Sequence, residues 1–402
     1  MLELNERGYC LVSQQIRSEI LNGQIKVSGN MKLNKKGRFV DKALESRVQP
    51  SSFEPVTTDK IYTLDIGSEA LFRPTEGIEI SSILDALVEK KRTEHDISNG
   101  FQINKGFAYL LPLDCSVRLK QDAHIKSSPK SARGREFFKN RLLSDYNPGF
   151  NMINSVYGGL NKEIHLWLLL QPLAFNGIIY PGIAFNQLRF FNGLGAKLSS
   201  LETLREFERE PFAFTTDANR NRKPTRPIIT EEGFQIHLDA IGRETGGVIA
   251  LRARQNPEPL DLRKENEYNV EGYFDPITRK DLRRVIKAKE YYLLASKEFF
   301  SVPPHLSAEL RRYSDIGFVG PQDFAGFIDN GFKGDIVYEP RSDEFADVEL
   351  NDNMPMTTIE FFRTIVEPEK KYGGESGAHF QGQVGITPSK RFKPIDYKRL
   401  LE

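Results

Sequence analysis

Short apolar runs, separated by Gly, Pro and Asn, recur along almost the whole chain and constrain its fold more than any other feature. They lie at residues 61–66, 107–113, 164–170, 183–191, 234–240, 248–253, 291–296, 336–338 and 358–365. Helical periodicity is confined to short segments at 14–21, after a candidate N-cap at Ser13, and at 81–92 and 201–208. Short strands at this spacing predict a mostly β protein, with β-barrel or jelly-roll domains and a few short helices.

The composition excludes several classes of protein. The chain has 402 residues, a formal net charge of +1 and two cysteines, Cys10 and Cys115. This length predicts two or three domains, and the near-neutral charge argues against a protein that coats a polyanion such as nucleic acid. Two cysteines exclude a disulfide scaffold. No apolar run approaches the roughly 18–20 residues that span a bilayer, and the first residues lack the pattern of a secretory signal. We therefore expect a cytoplasmic protein with no membrane partner.

A polar segment at residues 215–227 divides the chain into two halves of similar length. Four of its residues are basic, and it contains one alanine and two prolines but no larger apolar side chain. Because no aromatic residues alternate with the cations, a solvated linker is predicted in preference to a nucleic-acid-binding arm. The predicted organisation is an N-terminal domain at 1–215, a linker at 216–227 and a C-terminal domain at 228–402.

The two halves resemble each other. The run AYLL at 108–111 recurs as YYLL at 291–294, and a basic turn with a serine follows in each half, at 129–133 and at 312–315. One shift of register aligns both the apolar runs and the two serines. Two matches at one shift, on either side of the polar segment, predict an internal duplication.

The segment KSARGR at 130–135 packs three cations and a hydroxyl into six residues. Backbone N–H groups, a hydroxyl and guanidinium groups are suitable partners for phosphate oxygens. A solvated turn explains the same composition, so both interpretations stay open on this evidence.

The segment 327–339 contains Asp-Asn-Gly, which is typical of a tight turn between strands, and then a short apolar run that leads to Glu339. Alternation along a strand places Val337 and Glu339 on one face. Glu339 is therefore either exposed at a strand end or held in an apolar pocket. In a pocket its pKa would rise, which suits a general base.

The Gly-rich polar stretch at 372–390 either closes over a ligand, supplying amides and a cation, or extends as a free tail. It matches neither a Walker A motif nor a dinucleotide fingerprint. The six histidines are scattered and have no Cys-x-x-Cys partner, which excludes a zinc-type deaminase centre, and no Gly-x-Ser-x-Gly motif is present.

Taken in order, five segments resemble motifs of the dCTP deaminase family, which shares its fold with trimeric dUTPases. Residues 12–17, 48–53 and 130–135 are similar to Ser-Asp-x-x-Ile-Arg, Val-Gln-Pro-Ala-Ser and Arg-Ser-Ser-x-x-Arg. Residues 328–339 and 379–385 are similar to Ile-Asp-Pro-Gly-Trp-x-Gly-x-Ile-x-Leu-Glu and Lys-Tyr-Gln-Gly-Gln-x-Gly. The resemblance is greatest to a variety in which the unit is duplicated in one chain. It implies duplicated dUTPase-like domains.

The resemblance implies an enzyme that deaminates dCTP hydrolytically to dUTP and ammonia. Glu339 is then expected to activate the water that attacks C4 of the cytosine ring. Arg135 and Ser131 are expected to lie beside the base and the water, and Lys130 is expected to contact phosphate.

Further expectations concern the tail and the partners. The tail residues expected to bind the substrate are Gln383, His379 and Gln381. The resemblance also implies a deoxycytidine nucleotide as the ligand, Mg²⁺ accompanying its triphosphate, and no catalytic metal bound by the protein. We expect a homo-oligomer with no nucleic-acid partner.

The duplication predicts one site built from both halves. In single-domain members of the family, the glutamate and the Ser/Arg motif come from different subunits. Here the first-half position equivalent to Glu339 is Leu169, and the second-half copy of the basic motif, at 312–318, lacks its final arginine. Neither half holds a full set of groups, whereas residues 130–135 together with Glu339 do.

Departures from the family motifs leave the nucleotide's phosphorylation level open. Asn330 stands for Pro, Ala132 for Ser, and His379 for a phosphate-binding Lys. A dUTP diphosphatase or a bifunctional deaminase-diphosphatase is the first alternative function, and a non-catalytic nucleotide-binding regulator is the second. Glu339 argues against a regulator, because a carboxylate near a triphosphate opposes binding.

Overall fold

Strands greatly outnumber helices in the computed structural model. It describes residues 7–64, 73–87, 92–217, 221–280, 285–312, 325–340, 347–373 and 380–401. Within these ranges there are seven helices: α1 (Ser13–Leu21), α2 (Lys42–Arg47), α3 (Ile80–Ala86), α4 (Ser131–Gly134), α5 (Ser155–Gly158), α6 (Ser200–Arg209) and α7 (Tyr397–Leu400). The same described ranges contain one 3-10 turn, at Val270–Gly272.

The described strands fall into two sets. The first half of the chain contains β1 (Tyr9–Cys10), β2 (Ile25–Lys26), β3 (Lys60–Leu64), β4 (Arg92–Asp96), β5 (Phe101–Ile103), β6 (Ala108–Val117), β7 (Ala123–Pro129), β8 (Phe138–Ser144), β9 (Met152–Asn154), β10 (Ile164–Pro172), β11 (Gly177–Ile179) and β12 (Asn186–Asn192). The second half contains β13 (Ala213–Thr216), β14 (Arg222–Pro224), β15 (Ile229–Thr230), β16 (Gly233–His237), β17 (Val248–Ala253), β18 (Leu260–Asp261), β19 (Phe274–Thr278), β20 (Val285–Ile286), β21 (Tyr292–Ser301), β22 (Leu306–Arg312), β23 (Phe327–Ile328), β24 (Lys333–Tyr338), β25 (Val348–Glu349) and β26 (Pro355–Arg363).

The strand pairing repeats between the two halves. In the first half the main sheets run β1-β12-β7-β9 and β4-β3-β6-β10-β8, with β2 also on β6. In the second half they run β15-β16-β26-β22-β23 and β14-β13-β21-β17-β19, with β24 also on β21. The antiparallel pairs β6·β10 and β7·β12 correspond to β21·β24 and β22·β26. The predicted mostly β, duplicated fold is therefore confirmed.

Burial on both faces explains the continuous apolar run in β10. Leu166, Leu168 and Leu170 belong to the largest hydrophobic cluster. The alternate residues Trp167 and Leu169 pack in a second cluster, with α3 and the inner strands. A strand that is covered on both sides has an unbroken apolar sequence, because both sets of alternating side chains are buried.

A buried arginine joins the two halves. Arg189 in β12 is fully buried, and its guanidinium donates to the carbonyl oxygens of Ala308, at 2.6 Å, and Ile328, at 2.7 Å, on two strands of the second half. It also lies 3.8 Å from the Asp329 carboxylate, which accepts a hydrogen bond from Ser51 of the first half. These contacts fix the second-half turn before β24 against the first half.

Two local predictions are corrected by the structure. The first helix begins at Ser13 after an N-cap at Val12, so Ser13 is not the cap, and its hydroxyl accepts the Lys370 N–H. The helix predicted at 81–92 ends at Ala86, and Arg92 already begins β4. Within the predicted linker, β14 pairs with β13, which in turn pairs with β21, so its described residues include part of a hairpin. The domain division itself stays a prediction.

No helix among the residues that the structure describes is long and apolar enough to cross a membrane.

Candidate active site

A cavity of about 340 Å³ lies where the two halves meet. Four of the residues predicted to form the site line it from the first half and the tail, and Glu339 lines it from the second half. The predicted residues on its wall are Lys130, Ser131, Arg135, Gln383 and Glu339. The structure therefore brings together groups that are far apart in the sequence, from Lys130 to Gln383.

The short helix α4 presents the basic segment to this cavity. Pro129 ends β7, and Lys130 keeps an extended backbone (φ −69°, ψ 142°) before the chain turns into the helix. The Lys130 carbonyl accepts the Gly134 N–H at 3.0 Å, and the Ser131 carbonyl accepts the Arg135 N–H at 3.1 Å. This tight turn places the side chains of Ser131 and Arg135 on the cavity wall instead of leaving them on a solvated loop.

Glu339 follows β24 and is buried against the backbone of Gly134. A methyl group built at Gly134 would lie 2.5 Å from Glu339 Oε2 and 2.8 Å from Oε1. Only 5% of the Glu339 residue is exposed. Burial raises the pKa of Glu339 to about 8, and it outweighs the opposing effects of the Arg135 charge and a hydrogen bond from the Ala325 backbone. Of the two alternatives left by the sequence, the structure shows the pocket.

Arg135 supplies the positive charge that faces this carboxylate. One guanidinium nitrogen donates to Gln383 Oε1 at 2.9 Å and to the Thr387 carbonyl at 2.7 Å. The guanidinium carbon lies 3.8 Å from the centre of the Phe380 ring. Burial lowers the pKa of Arg135 to about 10, and the Glu339 carboxylate acts in the opposite direction. Arg135 Nε is buried and has no hydrogen-bond partner among the described residues.

The two lysines that line the cavity are paired with glutamates. Lys130 Nζ lies 2.6 Å from Glu54, and Lys390 Nζ lies 2.5 Å from Glu265. Both lysines line the cavity. A polyphosphate that enters would compete with these carboxylates for the ammonium groups.

The tail residues are placed differently from one another. Gln383 reaches the cavity, whereas Gln381 does not line it. Instead, Gln381 accepts the Lys333 N–H at 2.9 Å and donates to the Gly331 carbonyl at 3.1 Å, bracing the turn before β24. His379 lies outside the described residues, as does most of the second-half copy of the basic motif.

Strand register identifies the position that corresponds to Glu339 in the first half. Leu168 of β10 pairs with Leu111, and Tyr338 of β24 pairs with Leu294, which is the repeat equivalent of Leu111. The residue after Leu168 is Leu169, and the residue after Tyr338 is Glu339, so Leu169 corresponds to Glu339. Leu169 is 1% exposed and lies among apolar side chains. The first half therefore has no carboxylate at this position.

Comparison with known proteins agrees with this architecture. A family profile described as the N-terminal domain of 2′-deoxycytidine 5′-triphosphate deaminase matches residues 22–194, and the corresponding C-terminal profile matches residues 213–392. The chain belongs to the dCTP deaminase family. The resemblance stated from the motifs is thus confirmed.

Relatives in this family are shorter than the chain. The "dCTP deaminase, dUMP-forming" of Corynebacterium glutamicum (strain R) is 34% identical over 155 residues, which are 34% of this chain and 82% of that protein. The proteins with the same description from Corynebacterium jeikeium and Bifidobacterium longum are 34% and 32% identical, but the matches span 59% and 58% of their lengths.

A solved structure shares the fold of most of this chain. The crystal structure of 2′-deoxycytidine 5′-triphosphate deaminase from Agrobacterium tumefaciens superposes with a TM-score of 0.75, at 24% identity, over 90% of this chain and 99% of that one. The duplicated arrangement is thus present along nearly the whole of that chain as well.

Several cavity residues were not picked out from the sequence. Glu54 directly follows the segment that resembles Val-Gln-Pro-Ala-Ser, and Tyr372 begins the Gly-rich stretch. Gly134 lies inside the basic motif, where its lack of a side chain gave no signal by itself. These residues could have been suspected only because they lie next to or inside a motif. Closeness to a motif does not show which side chain faces the cavity.

The raised pKa of Glu339 predicts a specific dependence of stability on pH. In the folded protein this carboxyl keeps its proton up to about pH 8, whereas in the unfolded chain it ionises near its ordinary pKa of 4.5. The folded state therefore loses stability as the pH rises from the unfolded pKa through the folded one. We expect the unfolding free energy of the wild type to fall relative to Glu339→Gln between about pH 5 and about pH 9, by about 1.4 kcal/mol for each unit of pKa shift. Urea unfolding of both proteins measures this difference. Parallel pH curves would contradict the prediction.

Proposed function

We propose that this chain catalyses the hydrolytic deamination of dCTP, with Glu339 as the base that activates water. The observation that carries the proposal is a buried carboxyl from one half, with a pKa raised to about 8, on the wall of the same cavity as a restrained guanidinium from the other half. A carboxyl tuned to near-neutral pH is suited to accept and return a proton within one catalytic cycle. Membership of the dCTP deaminase family supports cytosine as the reacting base.

In the proposed reaction, ionised Glu339 accepts a proton from water while the water oxygen bonds to C4 of cytosine. The attack moves the electron pair of the C4–N3 double bond onto N3, and the carboxyl then returns the first proton to the exocyclic nitrogen. The C4–N bond breaks, ammonia leaves, and the second water proton passes from the C4 hydroxyl to N3. One water is consumed, uracil carries the new carbonyl at C4, and the carboxylate is regenerated. The reacting atoms therefore balance without an additional oxidant or reductant.

Arg135 and Ser131 are proposed to position the base and the water. Arg135 is restrained by Gln383, Thr387 and Phe380, so little reorganisation is needed when charge develops on the ring. Its positive charge also favours the ionised form of Glu339, which limits the pKa rise that burial produces. Ser131 is the first residue of α4 and lines the cavity.

The triphosphate is proposed to lie towards Lys130, which would exchange its partner Glu54 for a phosphate oxygen. The described residues contain no cluster of three or more His, Cys, Asp or Glu side chains that could hold a metal ion. We therefore propose that Mg²⁺ enters with the triphosphate as part of the substrate. The cytoplasmic location and the homo-oligomer stay predictions.

A second candidate function differs from the first in its product. The sequence predicted dUTP, whereas the relatives from Corynebacterium and Bifidobacterium are described as dUMP-forming. Their description favours a bifunctional enzyme that also releases pyrophosphate. Incubation with dCTP and Mg²⁺, with ammonia, dUTP, dUMP and pyrophosphate all measured, separates the two functions. Saturable dCTP binding without any product would support a regulator instead.

Replacement of Glu339 tests the proposed base. We expect Glu339→Gln to remain folded and to bind dCTP, because the amide matches the carboxyl in shape and carries no charge. Without a proton acceptor, ammonia release should fall by about 10²–10⁴-fold. Steady-state ammonia release and calorimetric dCTP binding give the two readouts. Full turnover in Glu339→Gln would reject the assignment.

Replacement of Gly134 tests the close packing behind Glu339. The added methyl group of Gly134→Ala needs space that the carboxyl occupies, so Glu339 must shift, and we expect kcat/KM to fall by about 10²-fold. The matched control is Gly272→Ala in the 3-10 turn, where an added Cβ has no neighbour within 4 Å. Undiminished kcat/KM in Gly134→Ala, alongside unchanged Gly272→Ala, would show that the carboxyl position is not critical.

A further inference from the structure

The C-terminal tail lies along β24, the strand that leads to Glu339. The Gly382 N–H donates to the Lys333 carbonyl at 2.7 Å, and the Asp335 N–H donates to the Gln383 carbonyl at 3.0 Å. Gly334 and Gln383 form a parallel bridge. The tail is therefore attached to the site by main-chain contacts on one side of this strand.

The Asp335 side chain adds a buried contact to this attachment. Its Oδ2 accepts the Gly385 N–H at 2.7 Å, and 6% of the residue is exposed. The Gln383 side-chain amide also donates to the Asp335 carbonyl. Gly385 has a φ of +69°, and a Cβ there would lie 2.5 Å from the methyl group of Thr245. Only glycine fits without strain in this backbone conformation, in which the N–H donates to the carboxylate.

The charged surroundings of Asp335 are mixed. Burial raises the pKa of Asp335 to about 7, while the Gly385 N–H and the Arg222 charge oppose the rise and Glu244 and Asp239 add to it. A buried carboxylate is stable only when its oxygens are hydrogen-bonded. Among the described residues, the Gly385 N–H is the one hydrogen-bond donor to the Asp335 side chain, so the carboxylate and the tail depend on each other.

The same stretch of tail holds Arg135. The Gln383 side chain donates to Asp335 through its nitrogen and accepts from Arg135 through its oxygen, and the Thr387 carbonyl accepts from the same guanidinium nitrogen. Gly385 lies between these two contacts. Asp335 itself is absent from the cavity wall. A route of direct contacts therefore runs from Asp335 through the tail to Arg135, opposite Glu339.

We propose that Asp335 is a positioning residue: it holds the tail at Gly385, and the tail holds the Arg135 guanidinium in its orientation towards Glu339. The proposal rests on the proposed function for the role of Arg135 in deamination. Loss of the carboxylate releases the tail and lets the guanidinium move, which costs rate because the reacting groups are no longer held in alignment.

A double-mutant cycle tests this route. We expect Asp335→Ala to lower kcat by about 10- to 100-fold, and Asp335→Asn to recover most of the rate because its amide oxygen still accepts the Gly385 N–H. Gln383→Ala should lower kcat similarly, and the double variant Asp335→Ala/Gln383→Ala should be no slower than the slower single variant. Glu349→Ala, an exposed carboxylate in β25, is the control. Multiplicative losses in the double variant, or no rescue by Asn, would overturn the proposal.

Hydrogen exchange tests the attachment independently of catalysis. In the nucleotide-free full chain, we expect peptides from residues 380–392 to exchange faster in Asp335→Ala than in the wild type and Glu349→Ala. If no variant releases ammonia, the proposed function fails, yet faster exchange would still support the tail attachment. Unchanged exchange in Asp335→Ala would overturn the attachment even in an active enzyme.

Discussion

The contact between the Glu339 carboxyl and the bare backbone of Gly134 is the constraint on which the rest of the site depends. The carboxyl lies where a side chain at 134 would stand, so it is removed from water and its pKa rises to about 8. The next residue, Arg135, provides the compensating charge. The proposed chemistry at the cavity therefore depends on the fit between a strand end of the second half and a helical turn of the first.

Duplication explains why such a fit lies within one chain. The two halves repeat the same strand pairs, yet the first-half counterpart of Glu339 is Leu169, buried in an apolar cluster. Each half has kept the groups that complement the other. The guanidinium of Arg189, bonded to carbonyls across the boundary, holds the halves in the register that the cavity requires. A buried polar contact of this kind also specifies one arrangement, because any other leaves its donors unpaired.

The strands could be predicted from the sequence because buried strands appear in it as short apolar runs. The predicted run at 248–253 coincides with β17, and the run at 164–170 lies within β10. The sequence did not predict the hairpin of β13 and β14, where pairing with β21 compensates for a polar sequence. The motif spacing pointed to the basic segment and Glu339, but not to Gly134 or the Asp335 contact with Gly385. Those features depend on neighbours that are distant in the chain and appear only when the fold brings them together.

The most direct test of a site made by both halves of one chain is complementation between two defective copies. Arg135→Gln and Glu339→Gln chains with different affinity tags are co-expressed, and doubly tagged protein and the unfractionated mixture are assayed for ammonia release from dCTP. The account predicts activity no higher than that of the better single variant, because neither chain holds a complete site. Activity well above both single variants would contradict it, since that result requires the glutamate and the arginine to meet between chains.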